Sequence, residues 1–240
     1  MSATPAARFP TTAWTCIEAA QDPHHPKFVT AVNRLITTYW RPVFHFLRKK
    51  YPATTDLEGL TQQFFLTLVT KGWLARADQQ RGHFRDFLRT ILKRFAFDQV
   101  VRAPQQAQFE QRFVSIHSLM DASDRAYEPT ASETPEEAFD KGWKAALLQT
   151  VRRNLEAHYA AAIDPEERRR FEIFAALNLG DDAENRPTQE AIAERFGLTR
   201  DQVRYAVEQV RKRSERLLRQ EMRDQVGAET DLEDEIRKLL

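Results

Sequence analysis

The stretch Thr188–Leu218, TQEAIAERFGLTRDQVRYAVEQVRKRSERLL, holds two helical repeats of apolar residues parted by one glycine. Thr188 is a residue type that accepts hydrogen bonds from the first unsatisfied N–H groups of a helix, and Ile192 and Phe196 then share one face. Gly197 ends this first helix, because a left-handed turn residue costs least without a Cβ. Leu198 fills the turn. Thr199 and Gln202 stand at capping-box spacing and open a second helix, whose buried side is Val203, Ala206, Val207 and Val210. Thr199, Arg200, Gln202, Arg204, Tyr205, Glu208, Arg211 and Lys212 are left on the outer side. This pattern predicts a helix-turn-helix, in which the second helix enters a major groove with its first side chains at base edges. Arginine and glutamine suit that place, since their paired hydrogen bonds distinguish guanine and adenine. The same pattern also suits an ordinary helical hairpin with a charged face, so the rest of the chain must decide.

At 240 residues the chain is expected to form two small domains. It has only 7 glycines and is rich in Ala, Leu, Arg, Glu and Gln, which predicts an all-α protein. The single Cys16 supports neither a disulfide framework nor a cysteine metal site, and no signal-like segment opens the sequence; a cytoplasmic location is expected. No apolar run approaches the roughly 20 residues of a membrane helix, so no membrane partner is expected.

Charge is unevenly placed. Lys27–Arg102 holds 14 Lys and Arg against 5 Asp and Glu, and Arg186–Arg223 holds 10 against 6. Between them, Ala103–Gly142 holds 3 against 8, and the tail Asp224–Leu240 holds 2 against 6. Two basic modules are therefore divided by an acidic linker and followed by an acidic tail. Basic modules suit phosphate backbones, where each neutralised phosphate releases a counterion; solvated helix faces would look the same.

In the first module, Phe28, Val32, Leu35, Ile36, Tyr39, Val43, Phe44 and Leu47 predict a helix that Pro42 bends or restarts. Thr55 and Glu58 suggest a capping box for the helix carrying Leu57, Leu60, Phe64, Leu68 and Val69. Phe84, Phe87, Leu88, Ile91, Leu92, Phe95 and Val101 form the apolar stripe of a further helix, with Arg85, Arg89, Lys93, Arg94 and Arg102 largely off it. Pro104 is expected to end this helix, and Gln105–Asp140 reads as a linker. The second module opens near Trp143, with Leu147, Val151, Leu155 and Tyr159 at spacings of four. Asp164 supplies a cap, a following proline and glutamates for the next helix.

The words DLEGLTQQFFLTLV (Asp56–Val69) and RGHFRDFLRTILKRFAFDQVVR (Arg81–Arg102) resemble the second conserved region of bacterial RNA polymerase sigma factors of the extracytoplasmic-function class, and the C-terminal pair of helices resembles their fourth region. The resemblance implies a sigma region 2-like domain over 27–103, an acidic linker over 104–141, a sigma region 4-like domain over 142–223, and extensions at 1–26 and 224–240. It implies that Asp56, Leu57, Leu60, Gln62, Gln63 and Phe64 dock on the coiled coil of the polymerase largest subunit, with the flap as a second polymerase contact. Gly59 and Gln63 stand where the family usually carries acidic residues. It also implies that 71–102 melts the promoter and captures an unstacked base of the minus-ten element. A stacking surface and backbone cations suit that task, here Trp73, His83 and Phe84 with Arg81, Arg85, Arg89, Lys93 and Arg94. For Phe84, core packing fits as well. The second helix of the opening stretch would read the minus-thirty-five element.

Promoter DNA and core RNA polymerase are thus the expected partners, with room for an anti-sigma factor or another regulator. No cofactor or metal is expected. An enzyme is disfavoured, because there is no phosphate-cradling glycine loop or H-E-x-x-H, and His24, His25, His45, His83, His117 and His158 are scattered. A polymerase-independent helix-turn-helix regulator is the stronger rival. Leu232, Ile236, Leu239 and Leu240 give the acidic tail an apolar spacing suited to docking on this chain or on a partner.

Overall fold

The computed structural model of the chain describes residues 14–102, 129–179 and 187–223. Every element among them is helical and there is no strand, as the composition predicts. No helix among the described residues is long and apolar enough to cross a membrane. The expected linker before residue 129 and the acidic tail lie outside the described residues, as do residues 1–13 and 180–186.

The elements in order are α1 (Trp14–Gln21), α2 (Phe28–Lys50), α3 (Leu57–Thr70), two short 3-10 turns (Trp73–Arg76 and Gln79–Arg81) and α4 (Phe84–Ala96), prolonged by a wider π turn (Phe97–Arg102). After the first gap come α5 (Pro135–Ala160) and α6 (Pro165–Asn178), and after the second come α7 (Gln189–Phe196) and α8 (Arg200–Arg223). The chain divides into two compact units, within Pro10–Leu147 and Leu148–Glu221. The division falls inside α5.

The first unit is built on aromatic side chains. Tyr39, Trp40 and Phe46 of α2, Phe64 of α3 and Phe95 of α4 are almost wholly buried. Phe64 meets Phe95 edge-on at 5.4 Å, and Phe84 meets Tyr39 at the same distance. Edge-on pairs of this kind contribute about 0.5–1.5 kcal/mol beyond the area they bury. Pro42 does not divide α2, which continues as one helix on both sides of it.

The first helix, α1, falls in the stretch read as an N-terminal extension, yet Trp14, Cys16, Ile17, Ala19 and Ala20 are core residues of this unit. Its eight residues had no long repeat to reveal them. The start of α3 also differs from expectation. Asp56, not Thr55, supplies the cap, accepting a hydrogen bond from the Gly59 N–H at 2.7 Å. A Cβ at position 59 would lie 2.1 Å from an Asp56 carboxylate oxygen, so the glycine is what lets the carboxylate fold over the first turn.

The fifth helix begins seven residues before the expected module boundary at 142. Thr134 and Glu137 form a reciprocal capping box: the Thr134 N–H donates to the Glu137 carboxylate at 2.7 Å, and the Glu137 N–H donates to the Thr134 hydroxyl at 3.2 Å. Pro135 occupies the first helical position, where its missing N–H costs nothing. Ala138, Phe139, Trp143 and Leu147 are then buried, all in the first unit. Gly142 reaches the backbone of α2, where an added Cβ would stand 2.9 Å from the Pro42 Cα and 3.1 Å from the Arg41 carbonyl oxygen.

In the second unit, Ile173, Ile192, Ala193, Val203, Ala206 and Val207 form one cluster, with Phe174, Leu177, Phe196 and Leu198 packed on it. Leu155, Tyr159 and Val210 form another, under Phe171 and Leu217. Tyr159 and Phe171 stack at 5.2 Å. Asp164 caps α6 through the Glu166 N–H, with Pro165 in the first turn.

Beside this stack, the Arg213 guanidinium lies 3.3 Å from His158 Nδ1. Burial, then the charges of Arg213 and Arg216, pull the His158 pKa below its ordinary 6.5, with Glu167 opposing them. A histidine whose pKa is lowered on folding binds fewer protons in the native state, so stability is retained above pH 6.5 and lost as pH falls below it. His158→Gln should therefore flatten the acid side of the melting temperature against pH. Thermal unfolding of both proteins between about pH 8 and pH 5 checks this, and parallel curves would count against it.

Candidate nucleic-acid interface

The α7–α8 pair forms as its sequence dictates. The Thr188 hydroxyl accepts from the Ala191 N–H at 3.2 Å, and Gly197 ends α7 in the left-handed conformation at φ +63°. Ile192, Val203 and Val210 are buried, and Leu198 packs on the core cluster. Arg169 of α6 donates to the carbonyl of Phe196 at 2.6 Å and so satisfies the end of α7, a contact that no local sequence signal marks.

On α8, Arg200, Gln202, Arg204, Tyr205, Glu208, Arg211 and Lys212 are all exposed, as is Thr199 before it. Arg200 pairs with Glu190, Arg204 with Asp201 at 2.8 Å, and Lys212 with Glu208 at 2.7 Å. Ion pairs this exposed contribute about 0.2–1 kcal/mol each, so phosphates or base edges can displace them readily. Tyr205 is about half exposed and has the Arg170 guanidinium 5.9 Å from its ring centre.

Two members of this set have structural work. The Thr199 N–H donates to Gln202 Oε1 at 2.8 Å, and the Gln202 N–H donates back to the Thr199 hydroxyl at 3.3 Å. Paired recognition of adenine needs both ends of a glutamine amide, and here the oxygen is committed to the cap. Arg200, Arg204, Arg211 and Lys212 remain as exposed groups with reach and donors.

The candidates in the first unit separate into surface and core. On α3, Asp56 and Gln62 are exposed, and Leu57, Leu60 and Gln63 are half-buried. The Gln63 amide donates to Gln99 at 3.1 Å. Phe64 is fully buried between Phe65 and Phe95, so it shapes the helix from below and cannot itself touch a partner. Phe84 likewise belongs to the core, enclosed by Trp14, Tyr39 and Phe87, and offers no ring face to a base.

The segment between α3 and α4 keeps its other candidates at the surface. Gly72 and Gly82 take positive φ values of 62° and 116°, which lets the chain turn sharply at both ends. Trp73 and His83 are half-buried, and Arg81 is exposed in a pair with Asp78 at 3.3 Å. The Gln21 amide of α1 donates to the carbonyls of Leu74 and Ala77 at 3.1 and 2.9 Å, tying the segment down. An open cleft of about 690 Å³ lies there, lined by Trp14, Glu18 and Gln21 and by residues 75–81.

The row Arg85, Arg89, Lys93 along α4 lies against the first turns of α5, with Arg85 and Arg89 half-buried and Lys93 still exposed. The Arg85 guanidinium lies over the Trp143 ring at 4.7 Å, Arg89 reaches Asp140 at 3.3 Å as well as Asp86 at 2.6 Å, and Lys93 pairs with Glu136 at 2.5 Å. The hydrogen bond from Lys93 holds the Glu136 carboxyl below the usual carboxylate range. Arg94 is exposed on the neighbouring side. The residues of α5 in this row escaped the sequence reading, although T-P-E-E at 134–137 carries the same helix-start signal as D-P-E-E at 164–167. Phe97, about half exposed beside Lys93 and Arg94, was missed as well.

No family model, curated protein or solved structure gives a significant match to this chain. The geometry therefore carries the functional reading. Gln202→Glu preserves the capping acceptor, so its stability should stay within about 0.5 kcal/mol of the parent, whereas Gln202→Ala should lose about 1 kcal/mol. Urea unfolding of the two variants measures both. An equal loss in each would place the role of Gln202 outside the cap.

Proposed function

We propose that this chain is a bacterial transcription initiation factor of the extracytoplasmic-function sigma class: it binds core RNA polymerase and directs it to promoters through two DNA-contacting regions. The observation that carries the reading is the outer face of α8. A capped helix, a left-handed glycine and a reciprocal capping box present Arg200, Arg204, Tyr205, Arg211 and Lys212 on one exposed surface. This surface supports a helix-turn-helix reading in which α8 would enter the major groove.

The first unit supports the same reading. Its α3 keeps Asp56, Leu57, Leu60, Gln62 and Gln63 wholly or partly at the surface, where a polymerase coiled coil could pack on them. Its turn segment and α4 collect Trp73, Arg81, His83, Arg85, Arg89, Lys93 and Arg94, groups suited to an unstacked base and a displaced strand. The words that resemble the sigma class, Asp56–Val69 and Arg81–Arg102, span these two places. In this reading the protein does no chemistry of its own and needs no cofactor. The minus-thirty-five element falls to α8 and the minus-ten element to the first unit.

Mixing the full chain with core RNA polymerase and a promoter library should give initiation from a defined subset of promoters. A stable complex on duplex DNA without polymerase, and no initiation with it, would instead favour an independent regulator. Arg200→Ala with Arg204→Ala should lower the preference for the upstream element by about 1–3 kcal/mol per lost base contact. An equal loss on every duplex would make these residues phosphate contacts only.

A further inference from the structure

Three cations on α4 and three groups on α5 meet in antiparallel register: Arg85 with Trp143, Arg89 with Asp140, Lys93 with Glu136. The spacing on α4 is four and four, and on α5 four and three, so each row is one helical stripe. We propose that the acidic first turns of α5 stand in for nucleic-acid phosphate on the cationic row of α4, and that this row binds single-stranded DNA only when they are displaced. The proposal rests on the reading of α4 as a nucleic-acid face.

Arg89, Asp140, Lys93 and Glu136 keep side-chain exposures of 25%, 42%, 51% and 39%, so the pairs sit at a wet edge. Pairs of this kind attract weakly. What positions the carboxylates is the apolar packing of Ala138, Phe139 and Trp143 beneath them, all at most 3% exposed. The acids are therefore held over the cations whether or not their own attraction would suffice. A strand approaching α4 then meets Glu136 and Asp140, with Glu133 and Glu137 close in sequence, and its phosphates find Arg89 and Lys93 already neutralised. Neutralised cations release no counterions, which removes the main gain of phosphate binding.

The hold also has a defined seat. Gly142, one residue before Trp143, seats this segment against the Pro42 backbone, where an added Cβ would stand 2.9 Å from the Pro42 Cα, so a side chain at position 142 would unseat it.

The test uses the full chain and a fluorescein-labelled oligothymidine, with anisotropy read over a range of salt. Glu136→Gln with Asp140→Asn removes the charge and keeps the shape. This pair should tighten binding about tenfold at low salt and steepen the log–log salt slope by roughly 1.4, at about 0.7 per phosphate on a single strand. Arg89→Gln with Lys93→Gln should change the parent little and should abolish the gain when combined with the first pair. Gly142→Ala, which presses on the Pro42 backbone, should act in the same direction as the first pair, with circular dichroism confirming the helical content.

Three results would overturn the proposal. If Glu136→Gln with Asp140→Asn gives no gain while Arg89→Gln with Lys93→Gln weakens the parent, the face binds with α5 in place, and the reading of α4 survives alone. If neither pair matters in any combination, α4 is not a nucleic-acid face, and both readings fail. If the gain persists without Arg89 and Lys93, it is a general effect of net charge.

Discussion

The backbone contact between Gly142 and Pro42 decides where the beginning of α5 lies. With a Cβ at position 142 standing 2.9 Å from the Pro42 Cα, the two helices could not approach as they do. Both residues are poor choices for a helix interior, at about 3 kcal/mol for proline and 1 kcal/mol for glycine relative to alanine. At their contact it is the missing side chain of Gly142 that lets its helix come close to the backbone of α2. From that point Phe139 and Trp143 enter the core, and Glu136 and Asp140 follow on the side of α4. The charge pattern of α4 is thus settled by a contact that involves no charge.

Magnitudes support that order of cause. Fully burying a large apolar side chain contributes about 1.5–3 kcal/mol, and Phe139 and Trp143 are both buried. The ion pairs above them are each worth less than about 1 kcal/mol. Apolar packing therefore sets the geometry, and the ion pairs set what the surface presents to an anion.

The sequence was most legible where signals are local. Thr188, Gly197 and the Thr199–Gln202 pair each announce a backbone feature within four residues, and each appears as expected. The stripe of α4 gave its buried side correctly at Phe84, Leu88, Leu92 and Phe95. Its cations lie off that stripe, but nothing within α4 reveals that Arg85, Arg89 and Lys93 meet partners about fifty positions later. The same limit applies to Gln21 on the carbonyls of Leu74 and Ala77. The start of α5 was legible in principle, but a surrounding run of Ser, Pro, Asp and Glu made a helix cap look like linker.

The two cationic faces differ in how they are neutralised. On α8 the partners of Arg204 and Lys212 are three and four residues away on the same helix, and Arg200 pairs with exposed Glu190 of α7. Such pairs can break and reform by side-chain rotation alone, so the face stays available to any anion that approaches. On α4 the partners of Arg89 and Lys93 include carboxylates of another helix, fixed by packing beneath. Side-chain rotation can break these pairs too, but it leaves Asp140 and Glu136 on a backbone seated against α4, so the acids stay close unless the helix segment that bears them moves. Under the proposed function, α8 is constitutively ready to meet DNA, while α4 depends on an event elsewhere in the first unit.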